Sequence, residues 1–345
     1  MSSRWLAFGL IVAATCCLAG CTSSTHHLLP FEGLRDIGCS GNERDAVEVT
    51  YLGAGGFLIR HQGRAIMTAP FYSNPGLLRF GLGFPISPDT ARIKALLPPV
   101  DDVEAILVGH AHFDHLRDAI HIAETTAARA TFYGSDTMMH IVRARPMLQA
   151  RVRSLEPMAG DAATPGTWQP LAGGTMRVMA LRSEHAPQFL GMKFFGGRIE
   201  HDLTELPWNA YGWKEGQTLA YLIDVLGADG RARLRFHYQD TASTPPLGFP
   251  PKLDDQGSPP VMVALLCVAS FDEVPHYPER LIGLLQPRHV VLAHWENFFS
   301  GKPTPRPLPL LNTESFAARL SAALPPGADW HTPVPGKALV RFCLP

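Results

Sequence analysis

Any fold of this chain has to accommodate HAHFDH, residues 110–115, directly behind the apolar run VEAILVG at 103–109. The run reads as a buried strand. Crowding imidazoles and a carboxylate at its end is costly unless a shared partner compensates them. Alternation along a strand lets His110 and His112 face one point, while Asp114 and His115, past the strand end, turn towards a second. Neutral imidazoles and carboxylates are the donors that zinc takes in catalytic sites. A lone histidine is usually a surface or core-capping residue, but four candidate donors in six residues form a metal-site pattern. Further donors should also stand at strand ends. His185 after MRVMALRSEH, Asp240 closing RLRFHYQD and His294 in VVLAHW meet that condition. His61, His121, His140, His201, His237, His276, His289 and His331 do not.

The rest of the composition narrows the class. The chain has 345 residues, 46% of them hydrophobic, and a formal net charge of -1. That length allows a large core, and the absence of a long basic run argues against broad nucleic-acid binding. The N-terminus, MSSRWLAFGLIVAATCCLAGC, has one positive charge, Arg4, and then an apolar stretch from Trp5 to Leu18. This is the pattern of a signal peptide, too short for a comfortable membrane span. It ends in Leu18-Ala19-Gly20-Cys21, which resembles a bacterial lipobox with Cys21 as the lipidated residue. The polar TSSTHH that follows suits a tether, which favours this reading over an ordinary signal peptide or an uncleaved anchor. Thr22, rather than aspartate, follows the cysteine and points to the periplasmic face of the outer membrane. Export implies an oxidising compartment. Cys39 and Cys343 then form either a disulfide or two unpaired thiols, and Cys267, in VMVALLCVASF, reads as a core residue.

Residues 1–20 read as the signal segment, 21–45 as an irregular tether and 46–345 as one domain. Strands are expected in VEVTYLGAGGFLIRHQGRAIMTAP, at 103–109, 175–181, 218–225, 232–240 and 289–296. LRDAIHIAETTAARA has helical spacing. PERLIGLLQ starts with proline at the first helical position, and TESFAARLSAAL reads as a helix capped by Thr313. No repeat or interdomain linker is visible. Two loop-like regions should flank a site: 71–99, rich in Gly and Pro, and 186–217, which carries Phe189, Met192, Phe194, Phe195, Trp208, Tyr211 and Trp213.

HAHFDH followed in order by His185, Asp240 and His294 resembles the metallo-β-lactamase superfamily. The opening VTYLGAGGFLIRHQGRAIMTAPFYS resembles that family's first hairpin, WKEGQTLAYLIDVLGADGRARLRFHYQDTAS its approach to the bridging aspartate, and HVVLAHWENF its last metal histidine. The resemblance spans about residues 47 to 300. It implies an α+β fold, a four-layer αββα sandwich with the site at the edge between two sheets. His110, His112 and His185 would bind one metal, Asp114, His115 and His294 a second, and Asp240 would bridge them. Seven donors are too many for one tetrahedral zinc. The expected cofactor is therefore a pair of Zn2+ ions, with Mn2+ or Fe2+ as alternatives. Aspartate at 240 favours the general hydrolase branch, and His112 in place of glutamate speaks against the di-iron flavoprotein branch. The chain departs from the family at Ala69-Pro70-Phe71, where many relatives have Asp-Pro-Phe, and at Gln239, where glycine is usual. Loss of a supporting residue of this kind can cost about 10–100-fold in affinity or activity.

The implied reaction is hydrolysis by a hydroxide held between two metals, with Asp114 orienting it and passing a proton to the leaving group. The sequence is similar to the branch containing N-acyl-phosphatidylethanolamine phospholipase D and ascorbate-6-phosphate lactonase, on HAHFDHL and HWENF. A phosphodiester, ester or lactone, small or lipid-like, is the expected substrate, and the membrane is a partner through lipidated Cys21. A different class remains open: an envelope lipoprotein that uses the fold for binding. A mononuclear iron dioxygenase of the same superfamily is a third reading.

Overall fold

The computed structural model describes residues 28–39, 45–188, 190–255, 257–302 and 304–344. Cys21, the signal segment and Phe189 lie outside the described residues. Among the described residues there are fourteen strands: β1 (Pro30–Ile37), β2 (Ala46–Gly53), β3 (Gly56–His61), β4 (Arg64–Thr68), β5 (Val103–Leu107), β6 (Thr131–Gly134), β7 (Val152–Ser154), β8 (Gln169–Leu171), β9 (Met176–Arg182), β10 (Leu219–Leu226), β11 (Ala232–Gln239), β12 (Val263–Cys267), β13 (His289–Ala293) and β14 (Asp329–Cys343). The helices are α1 (Leu77–Gly81), α2 (Thr90–Leu96), α3 (Phe113–Thr125), α4 (Asp136–Val142), α5 (Glu279–Leu285) and α6 (Thr313–Ala323).

Hydrogen-bonded neighbours run β7-β6-β5-β4-β3-β2-β14-β13-β12-β11-β10-β9-β8, with β1 also on β14. The long β14 joins the two halves. Its start, Asp329 to His331, pairs in parallel with β13, and its end, Leu339 to Cys343, pairs antiparallel with β2.

Side-chain alternation explains how the strands are buried on both faces. In the first half, Val47, Val49, Tyr51, Phe57, Ile59, Ile66, Ala105 and Leu107 share one core cluster with Val178, Leu222, Phe236 and Leu265 of the second half. Leu52, Leu58, Ala65, Met67, Val103 and Ile106 share the other cluster with Leu116, Ala119, Ile120 and Ala123 of α3. Ile282 of α5 and Phe316 and Leu320 of α6 pack with the first cluster. Each large aliphatic chain buried in this way contributes roughly 1.5–3 kcal/mol.

Four local expectations are corrected. Residues 30–37, read as tether, form β1. Phe31 is buried there, and the backbone pairs with β14 from Pro30↔Thr332 to Ile37↔Phe342. The strand read to residue 109 stops at Leu107, so His110 and His112 are not strand residues. Asn312, not Thr313, caps α6: its side chain accepts from Ser315 N at 3.0 Å. Pro278 is the residue before α5 rather than its first.

Cys39 and Cys343 form a disulfide across 304 residues of sequence. It fastens the end of β1 to the end of β14. Cys267 is a buried free thiol. A cross-link over so long a loop restricts the unfolded chain. Replacing Cys39 by Ser should therefore lower unfolding stability by about 2–5 kcal/mol. Urea denaturation should show the same lowered midpoint for the variant as for the dithiothreitol-reduced native chain.

Candidate metal centre

Five of the seven expected donors follow closely on the C-terminal end of a strand. His110 and His112 come after β5, His185 after β9, Asp240 immediately after β11 and His294 immediately after β13. β9 and β11 each pair antiparallel with β10, and β11, β12 and β13 are mutually parallel. The ends of β9, β11 and β13 therefore open on the same edge. After β5 the chain leaves the sheet path, and His112 becomes the residue preceding α3. Asp114 and His115 then sit in that helix's first turn, where the N-terminal dipole favours a carboxylate.

The seven residues converge. Donor atoms of His110, His112 and His185 lie within 4.8 Å of one another, and so do those of His110, His115 and Asp240, and of Asp114, His115 and His294. Asp240 stands between the two outer trios: Oδ1 is 3.2 Å from His110 Nδ1, and Oδ2 is 3.2 Å from His115 Nδ1. Asp114 Oδ2 is 3.5 Å from His115 Nε2 and 3.4 Å from His294 Nε2. The His110 ring lies 4.7 Å from that of His112 and 4.5 Å from that of His185, centroid to centroid.

The electrostatics suit a cation. Burial, with the neighbouring His115, pushes His110 down to about 3. Burial also depresses His112 and His185, so these three imidazoles are neutral at physiological pH, the form that binds metal. Burial opposes ionisation of Asp240, but His110 and His115 outweigh it and hold the carboxyl well below its usual range. Asp114 is held down similarly, by His115, His294 and His112 against burial. His115 is raised: burial opposes its charge, while Asp114, Asp240 and Glu296 favour it. Buried polar atoms normally have partners. Here His110 Nε2, His112 Nε2, both nitrogens of His115, Asp240 Oδ2 and His294 Nδ1 are buried without a hydrogen bond. A donor set of imidazole and carboxylate with its lone pairs left over fits a divalent metal.

Surrounding groups fix these rings. His185 Nδ1 donates to Ala186 O at 2.6 Å, which leaves Nε2 free. His294 has a positive φ of 56°, an uncommon conformation outside glycine. Its N–H points at Tyr51 Oη, 2.9 Å away, and at Ala54 O, 3.0 Å away. Glu296 accepts from Tyr51 Oη at 2.5 Å and from Ala54 N at 2.7 Å. Asp118, on α3, accepts from Tyr72 N, Ser73 N and Ser73 Oγ and so anchors the chain beyond Ala69-Pro70-Phe71. Two glycines make room. A Cβ on Gly109 would fall 2.3 Å from Asp240 Oδ2, and one on Gly55 would fall 2.7 Å from His115 Nδ1. Sequence reading missed Glu296, Asp118, Gly55 and Gly109. The visible signals were the acid two places after His294 and the glycine just before His110.

The donors border a cavity of about 510 Å³. Both loop regions expected beside a site contribute to it: Leu77 and Phe80 from one, Phe194 and Phe195 from the other. Phe298 and Phe299 complete the apolar wall. Trp213 of the second loop is fully buried in the core instead, and Trp208 is 61% exposed. No Lys or Arg occurs among the described residues lining the cavity.

Residues 85–247 match the family model of the β-lactamase superfamily domain. Over 264 residues, 76% of this chain and 79% of the relative, the sequence is 26% identical to a UPF0173 metal-dependent hydrolase of Anaeromyxobacter dehalogenans. Among solved structures it is similar to Igni18, a metallo hydrolase of the archaeon Ignicoccus hospitalis. Identity there is 16% and the TM-score 0.48, covering 86% of this chain and 98% of that one. The YhfI protein of Bacillus subtilis, described as a metallo-β-lactamase fold protein, is 12% identical with a TM-score of 0.46, covering 86% and 99%.

Two variants probe the supporting groups. Gly109→Ala should displace the Asp240 carboxylate and lower metal content at least about tenfold at limiting metal, measured by elemental analysis. Glu296→Gln keeps size but weakens the acceptor to Tyr51 and Ala54. It should reduce metal affinity by about 10–100-fold while the unfolding midpoint stays close to native.

Proposed function

We propose that this chain, whose residues 85–247 match the β-lactamase superfamily domain, is a binuclear metal-dependent hydrolase of the metallo-β-lactamase superfamily. The carrying observation is the convergence of seven donors, with unpaired lone pairs, beside an apolar cavity. His110, His112 and His185 would hold one zinc, Asp114, His115 and His294 the other, and Asp240 both. The two core clusters on opposite faces of the first-half strands support a four-layer αββα arrangement as the frame.

Bound there, the zinc pair would supply a water acidified to near neutrality as nucleophile and a Lewis acid for the substrate oxygen. The chain's own groups do the rest. The carboxylate of Asp114, ionised and on the cavity lining, can take the proton of the attacking water and return it to the leaving group. Phe80, Phe194, Phe195, Phe298 and Phe299 exclude water and seat an apolar substituent. With no lining Lys or Arg, a phosphate-rich substrate would meet no cationic side chain. The cavity therefore favours a carboxylic ester or lactone with an apolar body over a phosphodiester. The sequence of the first 21 residues supports a lipid anchor at Cys21 on the periplasmic face of the outer membrane, which would keep the enzyme near lipid-like substrates.

The test is purified residues 22–345, assayed for metal and for hydrolysis of short- and long-chain esters, lactones and a generic phosphodiester. About two zinc at the candidate centre of each chain, those lost in Asp240→Ala, and a preference for long-chain esters are expected. Asp240→Ala should lose most of the metal and turnover of the preferred substrate while remaining folded by circular dichroism. Full activity in that variant would refute the assignment of Asp240. Metal without turnover on any substrate would favour the binding lipoprotein.

A further inference from the structure

A histidine stands at each end of β13. His294 follows its last residue at the candidate centre, and His289 opens the strand five residues earlier, roughly 17 Å away along an extended chain. At that far end β13 pairs in parallel with β14, with His289 opposite Asp329 and Val291 opposite His331. Asp329 and His331 are two apart on one strand, so they share a face with each other and with His289. The coordinates bear this out: His289 Nδ1 is 2.6 Å from Asp329 Oδ1, and His331 Nε2 is 3.4 Å from Asp329 Oδ2. Donor atoms of all three lie within 4.8 Å of one another.

The geometry points to a separate site for a divalent transition metal, held by His289, Asp329 and His331. Two imidazoles and a carboxylate select zinc or a similar borderline cation over Mg2+ and Ca2+, which prefer all-oxygen sites. The His331 side chain is 7% exposed, and its buried Nε2 makes no hydrogen bond, its neighbour being the Asp329 Oδ2 at 3.4 Å. Asp329 is half exposed and opens the site to solvent, so water can complete the coordination. Phe31 of β1 packs edge-on against the His331 ring at 6.2 Å, and Phe342 lies 5.6 Å from the His289 ring. These contacts fix both rings. Arg35, whose guanidinium lies 4.4 Å over the Phe31 ring, faces the cluster with like charge, and the Asp329 carboxylate has to offset it. The position gives such an ion a structural task. It would fasten the start of β14 to β13 where β14 passes from one half of the sheet to the other and where β1 joins it.

The experiment is zinc equilibrium dialysis with elemental analysis on residues 22–345, native and variant, run beside the hydrolysis assay. Asp329→Asn and His331→Gln should each lose one zinc equivalent relative to native and leave hydrolysis unchanged. Asp240→Ala should retain that equivalent, and zinc should still raise its melting temperature. The rise should vanish in Asp240→Ala/Asp329→Asn. Should His331→Gln fail to fold, the near-isosteric Asp329→Asn decides alone. Equal zinc in native and Asp329→Asn chains would overturn the site and leave a plain His–Asp–His hydrogen-bonded cluster. A chain that hydrolyses nothing yet loses one zinc on Asp329→Asn would sink the hydrolase reading while keeping this one.

Discussion

The Asp240 carboxylate is buried at the meeting point of two trios of metal-ligating side chains, and most of the architecture around it exists to make that position tolerable. A buried ionised carboxylate without compensation costs several kcal/mol. His110 and His115, 3.2 Å away on either side, supply part of the compensation. The unpaired lone pairs left over mark where a cation would supply the rest. Steric constraint is as strict as the electrostatic one. The carboxylate has room only because position 109 has no side chain, and His115 only because position 55 has none.

Delivering seven donors to one place requires rigid elements, and parallel strand ends provide them. Strands β9, β11 and β13 hold their trailing residues at one edge, while α3 supplies the remaining acid and imidazole from its first turn. Behind the donors, Glu296 and Tyr51 hold the positive φ of His294 in place. Asp118 anchors the segment after Ala69 through three hydrogen bonds. Two further buried carboxylates, Glu296 and Asp118, support the segments that carry the donors. Their hydrogen bonds run to backbone and hydroxyl groups, so they position the loops that carry the donors. Far from the centre, the Cys39–Cys343 disulfide and the pairing of β1 with β14 fasten the N-terminal segment to the last strand.

Much of the candidate site was legible because metal-ligating side chains are rare and clustered. HAHFDH is short, and His185, Asp240 and His294 each follow an apolar run whose period shows a strand. The alternation at Val47, Val49 and Tyr51 and the apolar run at 103–109 likewise announced strands. Other features were not legible. The stop of β5 at Leu107 leaves no mark in an apolar run that continues to Val108. The β1 strand is made of mixed polar residues and exists because β14 offers it an edge. Asn312 and Thr313 both have cap chemistry, and only the backbone path chose the former. His289 and His331 looked like isolated histidines because His289 is 40 places from Asp329 and 42 from His331 in the sequence.

The sequence by itself determined the kinds of donors, their order and the strands that carry them, since side-chain chemistry and hydrophobic period are local properties. It also fixed the two cysteines able to cross-link. Only the tertiary structure decided which donors meet, that Asp240 stands between both trios, that the cavity beside them has an aromatic wall, and that a separate His–Asp–His group gathers at the opposite end of β13. Those outcomes depend on strand register and on the absence of a Cβ at two glycines, which bring together residues far apart in the chain and leave no periodic trace in it.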